Sequence, residues 1–174
     1  MAVFRIKSKK IILRKITDND IDDVFSYRSL DAVAQYQYWE PFTKEQTLNF
    51  IDKYKNCNLS NQNEWIGLVI ENQNGKVIGD CAMKIHENKL SLGCNIAPQY
   101  QRQGFAKEVL MLLINYCVEN YNIDEIYGIT DSKNKASIKL MESLGMKKAA
   151  YEEEVWCKGE RCIELKYYFN KTIR

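Results

Sequence analysis

The sequence predicts a mixed α/β fold in which a mainly antiparallel central sheet is flanked by helices. Three observations predict it. Residues 65 to 97 carry strand-length apolar runs broken at Asn74-Gly75 and Asn88-Lys89, the pattern of an antiparallel meander. Phe105 to Tyr121 switches to helical periodicity, with polar residues such as Lys107, Glu108, Asn115 and Glu119 mostly on one narrow stripe, as in a largely buried helix. Beyond it, strand and helix signals alternate again.

Each element has its own local reason. Ile11-Ile12-Leu13-Arg14 opens the first strand. Thr17-Asp18-Asn19-Asp20 is a cap pattern with acid on the first turn, and Ile21, Val24, Phe25 and Arg28 follow at helical spacing. An aromatic loop (Tyr36, Tyr38, Trp39, Pro41, Phe42) leads into the capping box Thr43-Lys44-Glu45-Gln46 and a helix carrying Leu48, Ile51 and Tyr54. Strands follow over Trp65–Ile70, Val77–Ile85 and Leu90–Ala97, the last closed by Pro98. After the long helix come a strand from Ile126 to Thr130 and a helix from Ala136 to Leu144 that Gly145 stops with a left-handed cap. Two closing strands flank Lys158-Gly159. No linker, repeat or low-complexity stretch interrupts this order, so residues 1–174 are expected to form a single domain.

Composition removes several classes of function. With 25 basic and 23 acidic residues, net charge +2, no global field attracts nucleic acid or a membrane. No apolar run approaches the roughly 20 residues of a membrane span, and the first residues lack the apolar core of an export leader. The expected location is the cytoplasm. Six cysteines (57, 81, 94, 117, 157, 162) form no CxxC pair and no metal-ligand spacing, and are read as reduced thiols. Cys157 and Cys162 can face each other across the closing hairpin. The one histidine, His86, ends an apolar strand beside a polar turn, which suits an exposed edge histidine better than a base and leaves no multi-histidine metal site.

Chemistry concentrates at Asn95-Ile96-Ala97-Pro98-Gln99-Tyr100-Gln101-Arg102-Gln103-Gly104-Phe105-Ala106, where a strand ends, a polar loop follows and a helix begins. The first N–H groups of a helix have no intrahelical partner, and the helix dipole adds positive character there. That combination suits a phosphate. Gly104 lets a ligand approach the backbone and Arg102 can add a charge-assisted bond. An ordinary helix start containing a glycine would look the same. Neither G-x-G-x-x-G nor G-x-x-x-x-G-K-[ST] occurs, which excludes the Rossmann and P-loop readings.

Gln101-Arg102-Gln103-Gly104-Phe105-Ala106 resembles [QR]-x-x-G-x-[GA], the acetyl-CoA motif of the GNAT superfamily of N-acetyltransferases. Downstream, Asn134-Lys135-Ala136-Ser137 and Met141-Glu142-Ser143-Leu144-Gly145-Met146 resemble the N-x-x-S…M-E-x-L-G-[FM] segment of its RimJ/RimL-like branch, the ribosomal-protein alanine acetyltransferases. Spacing and element order agree over nearly the whole chain. The resemblance implies the GNAT acyl-CoA N-acyltransferase fold, with the strand ending at Ile96 and the strand from Ile126 splayed apart. It implies pantetheine in that V and pyrophosphate held by Gln101, Arg102, Gln103, Gly104, Phe105 and Ala106. The N–H of Ile96 would then stabilise a developing oxyanion. Acetyl-CoA is the implied co-substrate, with no metal, and the acetyl group would pass directly to a primary amine. That amine is a protein N-terminus or a small molecule such as an aminoglycoside or polyamine.

The resemblance also indicates where this chain departs. Many relatives place an acidic tyrosine where Met141 stands, and Ser137, on the same helical face, is the substitute expected to protonate the leaving thiolate. A serine bonded back to its own helix is the alternative. Asn134 would hold the pantetheine arm or a water, and is equally an N-cap. The usual strand glutamate is replaced by Ser91, leaving Asp80, Glu40 or a water chain as base. Tyr38, Trp39 and Glu40 fall where relatives cover the acceptor, with Tyr151 and Trp156 as the opposite wall; cation–π and charge contacts there suit a cationic amine. Packing between helices would explain the same aromatics. A non-catalytic CoA-binding or regulatory module, and a longer acyl donor such as succinyl-CoA, stay open, as do monomer and homodimer.

Overall fold

The computed structural model describes residues 4–170. Eight strands, β1 (Arg5–Lys7), β2 (Ile11–Arg14), β3 (Ile66–Asn72), β4 (Val77–His86), β5 (Lys89–Ile96), β6 (Glu125–Asp131), β7 (Lys147–Cys157) and β8 (Glu160–Asn170), form one sheet in the order β1-β2-β3-β4-β5-β6-β8-β7. Every pairing is antiparallel except β5 with β6, whose connection crosses over through a helix. The helices are α1 (Ile21–Arg28), α2 (Asp31–Ala34), α3 (Lys44–Lys55), α4 (Phe105–Asn120) and α5 (Lys135–Ser143). None among the described residues is long and apolar enough to cross a membrane.

Local signals are realised with small shifts. Thr43 accepts from Gln46 N–H at 3.1 Å while Gln46 Oε1 accepts from Thr43 N–H at 2.8 Å, so the capping box starts α3. Gly145, at φ 85°, ends α5, and Met146 N–H reaches back to the Met141 carbonyl at 3.2 Å, a Schellman closure. The β4–β5 hairpin turns on Glu87-Asn88, both at positive φ, one residue earlier than expected. β1 and α2, three and four residues long, carried no periodic signal.

Two cores form, one on each face. α4 buries Val109, Leu110, Leu113 and Cys117 against Leu68, Ile78, Met83 and Leu92. On the other face Val24 and Tyr27 of α1 and Ile51 of α3 cover Val69, Val77 and Ala97. Burying such apolar area contributes about 25 cal/mol per Å2.

One irregularity opens the sheet. β5 and β6 pair over three rungs only, Lys89↔Glu125, Leu90↔Ile126 and Ser91↔Tyr127. Past them β5 runs on to Ile96 and β6 to Asp131 with no pairing between them. The expected splay is therefore present. Gly128 is the first residue of β6 beyond the last rung, and a Cβ there would stand 2.7 Å from Met141 Sδ. Met141, 4% exposed, thus fills the closed end of the V from α5.

Candidate active site

The V presents a backbone donor at its open end. Ala97 N–H donates to the Ile78 carbonyl at 2.8 Å. Antiparallel bonding alternates along a strand, so the N–H of Ile96 turns away from β4 and faces the gap beside β6. The Ile96 carbonyl, on the same side, accepts from Gln101 Nε2 at 2.9 Å. That bond ties the polar loop to the strand it leaves.

The loop has the form of an anion cradle. Arg102 (φ 59°) and Gly104 (φ 84°) adopt left-handed backbone on either side of Gln103, and such alternation turns successive N–H groups into one concavity. Gln103 Nε2 staples the loop to the Gln99 carbonyl at 2.9 Å. The first intrahelical bond of α4 runs from Glu108 N–H to the Gly104 carbonyl, so the N–H groups of Phe105, Ala106 and Lys107 have no partner within the helix. A Cβ on Gly104 would meet no protein atom within 4 Å. Internal packing therefore does not demand glycine here; the left-handed backbone does, and the space ahead of the loop is open to a ligand. Arg102 is exposed and makes no salt bridge among the described residues. These residues fit a pyrophosphate.

Asn134 caps α5, its Oδ1 accepting from Ser137 N–H at 3.1 Å. Ser137 is half-buried, and its hydroxyl makes no hydrogen bond among the described residues, so the back-bonded alternative is not adopted. Ser91 lies buried on the last β5–β6 rung, at the closed end of the V. Asp80 is wholly engaged. Tyr27 Oη, Arg28 Nε and Arg28 Nη2 each donate to it at 2.8 Å, and Asn95 Nδ2 at 3.1 Å. Burial drives its proton affinity up, but the Arg28 charge and these donors outweigh burial and hold the carboxyl below its ordinary range. A carboxylate so paired is a poor proton acceptor at neutral pH.

The residues expected on the acceptor side divide. Trp39 is partly buried and lies over the Arg28 guanidinium, 4.6 Å from its carbon, so its contacts are mainly packing. Tyr38 is 63% exposed and its hydroxyl donates to Glu164 on β8. Burial, then that carboxylate, raises the phenol above its ordinary range. Glu40 lines a cavity of about 430 Å3 with Asp31, Tyr36, Asp131, Lys158 and Glu160. Four carboxylates thus face one ammonium, and that ammonium already donates to the Ala34 carbonyl at 2.8 Å. In register, Asp131, Glu164 and Glu153 stand abreast across β6, β8 and β7, and like charges directly opposite repel. The cavity side is therefore electronegative. Trp156 pairs with Arg161, one residue out of phase with the cavity-lining Cys157 and Glu160, which puts it on the other face of the hairpin. Tyr151 is exposed and lines no part of the cavity.

The remaining nucleophiles and bases lie elsewhere. His86 is exposed, hydrogen-bonds Asn63 at 2.6 Å, and sits at the end of β4 opposite the V. All six cysteines are free; burial pushes the Cys94 and Cys117 thiols up to about 12, keeping them protonated. Cys162 stands opposite Val155, so Cys157 is its diagonal neighbour rather than its partner. No metal-holding group of His, Cys, Asp and Glu occurs among the described residues. The sequence reading missed Asp31, Asp131 and Glu160, which come from three distant segments, and Gly128, whose only signal was a lone glycine inside a strand.

Comparison with known proteins gives a consistent picture. The family model described as an acetyltransferase (GNAT) domain matches residues 10–147. The uncharacterized N-acetyltransferase YoaA of Bacillus subtilis (strain 168) is 28% identical over 148 residues, 82% of each chain. Among solved structures, RimL, a ribosomal L7/L12 alpha-N-protein acetyltransferase in complex with coenzyme A, superposes with TM-score 0.82 at 15% identity, covering 96% of this chain and 98% of that one. Spermidine N-acetyltransferase from Vibrio cholerae, in complex with CoA and spermine, superposes with TM-score 0.77 at 18% identity, covering 94% and 96%.

Proposed function

The chain belongs to the acetyltransferase (GNAT) family and is an acetyl-CoA-dependent N-acetyltransferase, and on that premise we propose that residues 1–174 act as one catalytic unit whose acceptor is a cationic amine. The observation that carries the assignment of roles is the parting of β5 and β6 beside the Gly104 helix start, with the Ile96 N–H turned into the gap. Acetyl-CoA supplies the acyl group as a thioester. Gln101, Arg102, Gln103, Gly104, Phe105 and Ala106 hold its pyrophosphate, and Asn134 holds the pantetheine arm while capping α5. Ile96 N–H donates to the thioester oxygen as charge develops there. The amine reaches that carbon from the acid-lined cavity, whose wall takes Glu40 from the 36–42 loop, with Tyr38 and Trp39 of the same loop flanking it. With Asp80 locked by Arg28, Glu40 acting through water is the group proposed to accept the ammonium proton. Ser137 hydrogen-bonds the leaving thiolate and relays it a proton that water replaces on the hydroxyl, the part Met141 cannot play.

The Asn134…Met146 segment supports the RimJ/RimL-like branch. The electronegative cavity supports a small polycation such as a polyamine within the wider acceptor class, and a protein N-terminus with basic following residues satisfies the same field. Six free thiols support a reducing compartment, the cytoplasm.

The test is CoA release from acetyl-CoA with spermine, an aminoglycoside and alanine- and serine-initiated peptides, repeated with succinyl-CoA. Turnover with at least one amine, lost on Ser137→Ala while CoA binding by calorimetry persists, is the expected result. CoA binding without turnover across the panel would favour a regulatory CoA-binding module instead.

A further inference from the structure

One buried cluster bridges the two halves of the site and belongs to neither. Arg28 ends α1 and is 6% exposed; Asp80 on β4 is 4% exposed. The guanidinium forms a bidentate pair with Asp80, through Nε and Nη2 at 2.8 Å each. The guanidinium lies over three aromatic rings, its carbon 4.6 Å from the centroid of Trp39, 4.9 Å from that of Phe42 and 3.9 Å from that of Phe50. Its own carbonyl accepts from Phe42 N–H at 2.9 Å. Arg28 therefore holds the 36–42 loop by backbone and by side chain together.

The far end of the pair is equally specific. Asp80 is directly opposite Asn95 in the β4–β5 register and accepts from Asn95 Nδ2 at 3.1 Å. Asn95 immediately precedes Ile96, whose N–H enters the V. A continuous path of contacts thus runs from Trp39 and Phe42 through Arg28, Asp80 and Asn95 to the donor strand. A planar, always-charged guanidinium is suited to this, since it pairs at its edge and stacks on its faces at once, which an ammonium cannot do.

We infer that Arg28 is a positioning residue that fixes the acceptor-side loop 36–42 at a set distance from the Ile96 donor, through Asp80 and Asn95. The inference rests on the proposed role of that loop as the acceptor wall. Losing the clamp leaves the cofactor half intact, because the polar loop and α4 are tied to β5 by Gln101 and not by Arg28. Acceptor binding and geometry degrade while CoA binding does not. An interaction that only stabilised the fold would degrade both together.

The experiment compares wild type with Arg28→Lys, which keeps the buried charge but loses the fork and the stacking. Three quantities are read: CoA affinity by calorimetry, amide hydrogen exchange, and steady-state constants with spermine as the amine. The expected result is CoA affinity within about twofold, exchange over residues 36–42 faster by about tenfold with β3 to β5 unaffected, and a spermine KM raised at least tenfold at constant acetyl-CoA KM. Uniformly faster exchange, or a parallel loss of CoA affinity, would overturn the inference, as would an unaltered loop. If Arg28→Lys does not fold, Phe50→Leu, which removes one enclosing ring outside the loop, is read for the same selective loosening. If wild type turns over no amine, the acceptor reading fails on that result, and exchange with calorimetry alone decides whether Arg28 clamps the loop.

Discussion

The side-chain amide of Gln101 donates to the carbonyl of Ile96 at 2.9 Å, closing the polar loop onto the residue whose own N–H faces the V. The residue that begins the proposed phosphate cradle therefore also fixes where that cradle stands relative to the proposed thioester site. Gln101→Ala removes one hydrogen bond worth about 1 kcal/mol. CoA affinity by calorimetry is expected to fall by up to about fivefold, and the melting temperature by about 2–4 °C.

Gly104 and Gly145 share a left-handed backbone, at φ 84° and 85°, and each has open space where a Cβ would stand. Alanine at either position carries a backbone cost of about 1–2 kcal/mol. Only Gly104 faces the cradle. Gly104→Ala is expected to lose both stability and at least tenfold in CoA affinity, whereas Gly145→Ala loses stability alone. Thermal unfolding with and without CoA separates the two.

Met141 Sδ occupies the space a side chain at Gly128 would need. Gly128→Ala is expected to destabilise by about 1–3 kcal/mol through overpacking. Combining it with Met141→Ala should recover part of that loss, so the double-mutant cycle is non-additive. Additive losses in denaturant titration would mean that the two positions do not touch.

Asp80 is held below its ordinary pKa in the folded chain, so the unfolded state binds its proton first as pH falls. Its contribution is fully present above the unfolded value, about 3.9, and is lost as pH drops from there through the folded value. Stability measured by urea titration should therefore be insensitive to this group between about pH 5 and 8 and fall below about pH 4. Asp80→Asn leaves Arg28 buried without a counter-charge, and is expected to cost about 3–5 kcal/mol at neutral pH.

His86 sits at the opposite end of β4 from the V. His86→Ala should leave kcat, both KM values and the pH–rate profile unaltered. A lost limb in that profile would place a proton relay where none is proposed.

How much was legible depended on how local each cause was. Thr43 and Gln46 announced α3 because a capping box lies within four residues. The cradle was legible for the same reason, since one loop and one helix start make it. The acid-lined cavity was not. Asp31, Glu40, Asp131 and Glu160 meet only after β6 and the β7–β8 hairpin have docked against the 31–41 segment. Trp156 shows the limit most sharply: on a strand, one residue of phase decides between the cavity and the opposite face, and no neighbouring residue reports it. Asp80 looked like an available base because nothing in its own strand reveals Arg28, 52 positions earlier.

The parting of β5 from β6 also governs when the molecule can be completed. β6 meets β5 over three rungs but β8 over seven, Glu125↔Asn170 to Asp131↔Glu164. One wall of the cleft is thus secured chiefly by a strand made some thirty residues after it. During synthesis at about 5–20 residues per second, β1 to β5 can assemble while β6 waits, held by only a short parallel seam. Long-range pairing of this kind is slow to close. The nascent chain should acquire its proposed phosphate cradle before it acquires a finished channel.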